Sequence, residues 1–346
     1  MDKVTVTGGS GYVASYCILK LLEKKYFVTA TIRNPERETS IRNFLHKHTD
    51  FSDENLKFVQ ADLLSDDNWN EAVKGSNYVL HVASPFLSYL PKNPETELIQ
   101  PARDGALRVL RASLAGGVKR VVMTSSMASI SYGHIPPKNE LLLDEETWTD
   151  IHGPDITPYI VSKTVAEKAA WNFIENEANE KMQFVTINPS VVLGPLLEKD
   201  YSPSAEIVKK LLKRSMPALP KMGFQICDVR DVAEAHIRAM TEEKAAGKRI
   251  AVTDSFLWFS EMADHLHEEY VNKKYKIPRK TIPHFAVRLF SLFDKETRSV
   301  LNELGVHRKL SNERLKNLLG IDPIPAKDSI LETARTLIEQ GVVKSL

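Results

Sequence analysis

The chain has 346 residues and only two cysteines, Cys17 and Cys227. Two distant thiols give no disulfide framework, and neither stands in a CxxC or Cys/His spacing that would hold a metal. Charge of one sign is also missing: 46 basic side chains face 45 acidic ones, for a net +1. So balanced a chain has no field to draw it onto nucleic acid or an anionic membrane, which leaves small molecules as the expected partners. No uncharged apolar run approaches the ~18–20 residues that cross a bilayer. A strand-like run begins at Lys3 and leaves no room for a secretory leader. Internal repeats and low-complexity tracts are missing as well. These absences point to a soluble, cytoplasmic protein with no metal centre.

What is present is ample core material, 42% hydrophobic and 26% charged residues, as in globular proteins. Lys3–Thr7, Phe27–Ile32, Leu56–Gln60, Tyr78–Val82, Arg120–Thr124 and Gln183–Ile187 are rich in Val, Ile, Thr and aromatics and read as strands. Tyr12–Lys24, Pro35–His48, Trp69–Gly75 and Glu95–Ala115 read as helices between them. Strands separated by helices call for parallel pairing with right-handed crossovers, hence a Rossmann-like, doubly wound α/β sheet. Past Pro189 the alternation breaks under repeated prolines, and helical patterns dominate from Ser260. The expected division is a nucleotide-binding domain over 1–188, joined by about 226–254. A smaller, mostly helical substrate lobe would take 189–225 and 255–346.

The stretch VTVTGGSGYVAS holds Gly8-x-x-Gly11-x-x-Ala14 between the first strand and an amphipathic helix. In that context Gly8 permits a sharp turn, Gly11 lets backbone approach a diphosphate, and Ala14 keeps the helix close to the sheet. The diphosphate would rest on the free amides of the helix start. A structural turn without ligand is the competing reading. At the end of the second strand, where an acid would bind a ribose 2′-hydroxyl, stands Arg33, with Arg37 nearby. A guanidinium fork suits a 2′-phosphate, so NADPH is expected; a solvated surface role remains open for Arg37. After the third strand, Asp62 would reach the adenine edge or cap a helix.

A second constellation carries chemistry. Tyr159 and Lys163 lie four residues apart, on one face of a helix. An ammonium beside a phenol favours the phenolate and is expected to lower the tyrosine pKa. Thr124-Ser125-Ser126 ends the fifth strand, where such sheets place ligands, and a hydroxyl there would hydrogen-bond a substrate carbonyl.

Together, TGGSGYVA, HVASPF (81–86), VMTSSMAS (122–129), YIVSK (159–163) and INPSVVLGP (187–195) resemble the extended short-chain dehydrogenase/reductase superfamily. Within it the chain is most similar to the dihydroflavonol reductase-like branch, which includes plant dihydroflavonol and cinnamoyl reductases and microbial aldehyde or ketone reductases. The resemblance implies an NADPH-dependent carbonyl reductase. Tyr159 would be its general acid, Lys163 its ribose-binding residue, and Ser126 its carbonyl-polarising serine, with Ser125 as the alternative. Arg33 would recognise the 2′-phosphate. Val82, Ala83, Ser84, Pro189 and Ser190 would form the nicotinamide-side loops, and Thr7, Tyr12, Val13, Leu63, Thr124 and Val192 complete the expected cofactor set. The protein would act as a monomer or homodimer on a small or medium aldehyde or ketone.

Plant flavonoid reductases of this branch commonly carry an asparagine shortly after the serine. Here the region reads Ala128-Ser129-Ile130-Ser131-Tyr132, which argues against dihydroflavonol reduction. Phe86, Tyr132 and Phe224 are candidate pocket walls or ordinary packing residues. Asp231 and His236, in CDVRDVAEAHI, read as capping and packing residues, and His81 as a hydrogen-bonded core histidine. An NAD-dependent nucleotide-sugar epimerase or dehydratase, which would favour an acid in place of Arg33, and a catalytically silent NADP sensor are the alternatives.

Overall fold

The computed structural model describes residues 2–85, 87, 89, 91–134, 141–178, 180–197, 203–215, 218–273, 275–292 and 301–344. Strand and helix alternate from the start: β1 (Lys3–Val6), α1 (Tyr12–Glu23), β2 (Phe27–Ile32), α2 (Glu38–His46), β3 (Leu56–Gln60), α3 (Trp69–Val73), β4 (Tyr78–His81), α4 (Gln100–Ala115) and β5 (Arg120–Thr124). The short β6 (Leu141–Leu143) precedes α5 (Pro158–Phe173), β7 (Gln183–Pro189) and β8 (Val191–Leu193). Next come α6 (Ala205–Leu212), β9 (Leu219–Pro220), β10 (Gly223–Asp228), α7 (Val229–Thr241), β11 (Arg249–Val252), β12 (Ser255–Trp258) and α8 (Phe259–Tyr270). The last described elements are β13 (Thr281–Ile282), α9 (His284–Phe290), β14 (Arg308–Leu310), α10 (Glu313–Leu319) and α11 (Ala326–Glu339).

Seven strands pair in parallel in the order β11-β7-β5-β4-β1-β2-β3. Sheet order turns back at β1, whose neighbours are β2 on one side and β4 on the other. The carboxyl ends of β1 and β4 therefore flank the crevice in which such sheets bind ligands. Buried on both faces, the strands read as nearly continuous apolar runs rather than alternating ones. One face is closed by α1 and α7, whose Cys17, Leu21, Val232 and Ile237 share a core with Leu315 and Leu319 of α10. On the other, Trp69, Val109, Leu110, Ala170 and Phe173 bring α3, α4 and α5 together.

A separate core joins α6, α8 and α11 through Val208, Leu211, Met262, Leu266, Ile330 and Leu337. Strand β10 serves both sides: Ile226 belongs to this core and Cys227 to that of α1 and α7. Helices are joined here by strands that the helical pattern did not announce. They form the sheet β12-β10-β8 and the parallel pairs β13–β9 and β14–β6. Apart from the six-residue β10, these runs of two to four residues are too short to display a period, so local pattern cannot announce them.

Helix starts differ from expectation in two places. The helix expected from Pro35 opens as a separate 3-10 turn, Pro35–Arg37, because Asn34 Oδ1 accepts the Glu36 amide at 3.0 Å. The helix expected from Glu95 opens as a π-helical turn, Glu95–Ile99.

Candidate active site

The crevice is a cleft of about 500 Å³ lined by the β1–α1 turn, the exits of β2, β3 and β4, and Thr124 at the end of β5. Its floor is set by close packing. Gly8 has φ +70°, and a Cβ there would stand 3.0 Å from the Cβ of Ala83, so backbone conformation and space both call for glycine. Thr31 holds the turn from below: its Oγ1 accepts the Gly8 amide at 3.0 Å and its carbonyl accepts the Gly9 amide at 2.7 Å. Gly11 caps α1 with no side-chain hydrogen bond, and the first turn holds no acid. Gly11, Tyr12, Val13 and Ala14 of this helix start line the cleft, the kind of place that receives a phosphate.

The lining takes in the expected Gly8, Gly11, Tyr12, Val13, Arg33, Asp62, Leu63, Val82, Ala83, Ser84, Thr124 and Val192. Arg33 leaves the end of β2 exposed on the cleft wall. Asp62 does two things at once: it lines the cleft, and its Oδ1 accepts the Leu64 amide at 2.9 Å. Thr124 also has a structural partner: its Oγ1 donates to His236 Nε2 at 2.6 Å, since the neutral ring's proton is on Nδ1, which faces Val232 O.

Six expected cofactor residues stand outside this lining: Tyr159 and Lys163, described below with α5, and Thr7, Arg37, Pro189 and Ser190. Thr7 is fully buried behind the turn, where its Oγ1 accepts the Ala83 amide at 3.0 Å and pairs with His81 Nδ1 at 2.9 Å. It reaches the cleft through Ala83. Arg37 ends the 3-10 turn that Asn34 caps and is half-buried. Pro189 ends β7, and Ser190 is buried with its amide bonded to Val252 O at 3.0 Å. Conversely, Ser10, Leu64, Trp69, Leu87, Glu97, Pro101 and Ser204 line the cleft without having been anticipated. Trp69 carries one readable cue, an indole needing a partner when buried; it donates to the carbonyls of Asp62 and Ser65 at 3.2 and 2.9 Å. Ser204 comes from a distant segment and no local pattern marks it.

Beside the cleft, α5 begins at Thr157, whose Oγ1 accepts the Ile160 amide, followed by Pro158 in the first turn. This start puts Tyr159 in the first turn and Lys163 one turn on, with Nζ 6.0 Å from the tyrosine ring centroid. The Tyr159 phenol and the Ser126 side chain share a hydrogen bond. Ser126 Oγ also accepts the Ala128 amide at 3.1 Å. Ser125, the alternative serine, is buried and donates to Glu167 Oε2.

Electrostatics correct one expectation. The Tyr159 phenol is raised, not lowered, from its ordinary value, because burial penalises the phenolate; the Ser126 hydrogen bond opposes this only in part. Burial also brings the Lys163 ammonium down to about 8, with Glu167 pulling the other way. His81, buried with Thr7, is lowered to about 3 and stays neutral.

Of the pocket-wall candidates, Phe86 lies outside the described residues. Tyr132 lies under the guanidinium of Arg308, 4.5 Å from ring centroid to Cζ, and Phe224 packs on Phe259 at 5.8 Å between centroids. Both are engaged in packing rather than in the cleft's lining. Asp231 and His236 have the structural partners expected of them: Asp231 Oδ2 accepts the Ile324 amide at 2.7 Å, and His236 Nδ1 lies 2.7 Å from Val232 O. Among the described residues no group of three or more His, Cys, Asp and Glu side chains is arranged to hold a metal ion, and no helix is long and apolar enough to cross a membrane.

A nucleotide cleft at the reversal of a parallel sheet, flanked by a Ser/Tyr/Lys set, defines a Rossmann-type class of nucleotide-binding protein. Within that class, the model of the NAD dependent epimerase/dehydratase family matches residues 4–252, and the chain belongs to this family. It is 34% identical to a cinnamoyl-CoA reductase of Medicago truncatula, over 97% of this chain and 96% of that protein. It is 33% identical to tetraketide alpha-pyrone reductase 1 of Arabidopsis thaliana, over 99% of this chain and 98% of the relative. Among solved structures, Gre2 from Candida albicans in complex with NADPH superposes with a TM-score of 0.81 at 28% identity, covering 98% of this chain and 99% of that one.

Proposed function

We propose that the chain is an NADPH-dependent carbonyl reductase acting on a small or medium organic aldehyde or ketone. The observation that carries this reading is the Tyr159–Ser126 hydrogen bond beside a phosphate-ready cleft whose second-strand exit presents Arg33 instead of an acid. Reductases among the relatives, and an NADPH complex among the structural neighbours, support it.

In this reading the amides at the start of α1 hold the diphosphate, Arg33 takes the 2′-phosphate, and Ala83, Ser84 and Val192 flank the nicotinamide end. NADPH, when bound, supplies the hydride. The protein's own part is to orient a carbonyl and manage its proton. Ser126 and Tyr159 together donate hydrogen bonds to the carbonyl oxygen, where negative charge develops. Because burial keeps the Tyr159 phenol protonated, its proton is available to that oxygen. Lys163, one turn along, holds the ribose and supplies positive charge against the phenolate left behind. Arg33 speaks against the epimerase reading, in which tightly held NAD would meet an acid at that position.

The test is a spectrophotometric panel of aldehydes, ketones and diketones with NADPH and NADH in parallel. The expected outcome is substrate-dependent oxidation that favours NADPH by at least about tenfold in kcat/KM. No turnover with any carbonyl, or tightly co-purifying NAD, contradicts the reading.

A further inference from the structure

One buried carboxylate beside the site has more partners than helix packing requires. Glu167 lies on α5, one turn beyond Lys163, and its side chain is excluded from solvent. Its Oε2 accepts from Ser125 Oγ, Ser129 Oγ and Asn188 Nδ2, the last at 2.8 Å. Its Oε1 accepts from Arg249 Nε at 2.7 Å, Thr186 Oγ1 at 3.0 Å and Trp171 Nε1 at 3.3 Å. A carboxylate can accept about four hydrogen bonds along its lone pairs, so both oxygens are saturated.

The partners are not scattered. Ser125 and Ser129 are the two shoulders of the turn that carries Ser126. Asn188 Nδ2 also donates to the Ser126 carbonyl at 3.3 Å, and Arg249 Nη2 reaches the Ser129 carbonyl at 3.2 Å. Resting on the functional reading above, we propose that Glu167 is a positioning residue that pins the Ser126 turn to the helix carrying Tyr159 and Lys163. Ser126 and Tyr159 come from elements more than thirty positions apart, and the carboxylate fixes the distance between them. A reacting carbonyl held by both tolerates little misplacement, since a shift of about 1 Å can cost on the order of a hundredfold in rate.

Glu167 has a second, separable effect through charge. The titratable groups that interact with Lys163 among the described residues are Glu167 and Tyr159 on its own helix and His81 from β4. His81 is neutral, so the negative charge of Glu167 is what opposes desolvation of the ammonium. Facing Glu167 itself is the cation of Arg249 from β11. Removing the carboxylate charge therefore lowers the Lys163 pKa.

The experiment compares the full-length wild-type protein with Glu167→Gln and with Ser129→Ala, which frees one shoulder of the turn but leaves the Glu167–Arg249 pair intact. Three quantities are measured: kcat with NADPH and a carbonyl substrate, NADPH affinity by fluorescence titration, and the Lys163 midpoint by NMR of 13Cε-lysine apoprotein, its signal assigned through Lys163→Arg. For Glu167→Gln the expected result is a loss of at least about tenfold in kcat with NADPH affinity held within about threefold. Its Lys163 midpoint falls by about one pH unit. Ser129→Ala is expected to lower kcat several-fold with the Lys163 midpoint unchanged. If Glu167→Gln does not fold, Ser129→Ala decides. Activity lost only in proportion to folded protein, with the midpoint unmoved, overturns the proposal, as does unchanged kcat in Ser129→Ala. A wild type that reduces no carbonyl contradicts the functional reading instead, while the apoprotein titration still tests the coupling.

Discussion

At Tyr159 two influences compete, and their balance decides what the residue does. Burial raises the phenol and the Ser126 hydrogen bond lowers it, with burial the larger. A protonated phenol is the form a reduction requires, because the carbonyl oxygen must receive a proton as the hydride arrives. Arg33 has a simpler task. Exposed at the cleft wall, it would, in the function proposed above, offer a planar fork to the 2′-phosphate where an acid would favour a free ribose hydroxyl. Arg33→Ala is expected to raise KM for NADPH by at least about tenfold and to change KM for NADH by less than about threefold, since a charge-assisted phosphate contact contributes roughly 1.5–3 kcal/mol. Steady-state kinetics with both cofactors check this. Equal losses for the two remove the phosphate role.

At the scale of elements, the sheet and its cleft were legible in the sequence for physical reasons. Parallel strands buried on both faces read as runs of Val, Ile and Thr, and Lys3–Val6 through Gln183–Pro189 stand close to where those runs lie. The Gly8 turn was legible because φ +70° and the closeness of Ala83 leave no other residue comfortable there. Less legible were positions where tertiary burial decides. Thr7 carries a hydroxyl at the right register but spends it on Ala83 and His81, behind the cleft. The pKa of Tyr159 could not be read from the spacing to Lys163, because spacing gives proximity and not desolvation. Glu167 stands one turn beyond YIVSK, yet its six donors come from α5, β7, β11 and the turn after β5, which no linear pattern joins.

At the scale of the whole molecule, the two sides of the cleft are tied together by contacts distant in sequence. Tyr12 and Tyr16 of α1 both donate to the Pro195 carbonyl, at 3.1 and 2.9 Å, fastening the cofactor-side helix to the segment after β8. On α7, Asp231 accepts the Ile324 amide and so holds the approach to α11. Burial, with the charge of Asp228 adding to it, raises Asp231 from 3.8 to about 6. A carboxyl raised on folding binds its proton more tightly in the folded state, so its stabilising contribution is complete below about pH 4 and is lost as pH rises through about 6. Asp231→Asn keeps an acceptor for the Ile324 amide and cannot ionise. Melting temperature compared at pH 5 and pH 7.5 is expected to move in the variant's favour at the higher pH by a few degrees. A difference between variant and wild type that is the same at both pH values removes this assignment.

In the proposed function one cleft binds NADPH while Tyr159, beside it, delivers the proton. Measuring NADPH affinity and single-turnover carbonyl reduction on the same preparation of Tyr159→Phe tests it most directly. The phenylalanine ring keeps the shape and loses only the hydroxyl, so NADPH affinity is expected to stay within about twofold while the reduction rate falls by at least about a hundredfold. Turnover within about threefold of wild type, with NADPH still bound, would rule out Tyr159 as the proton donor.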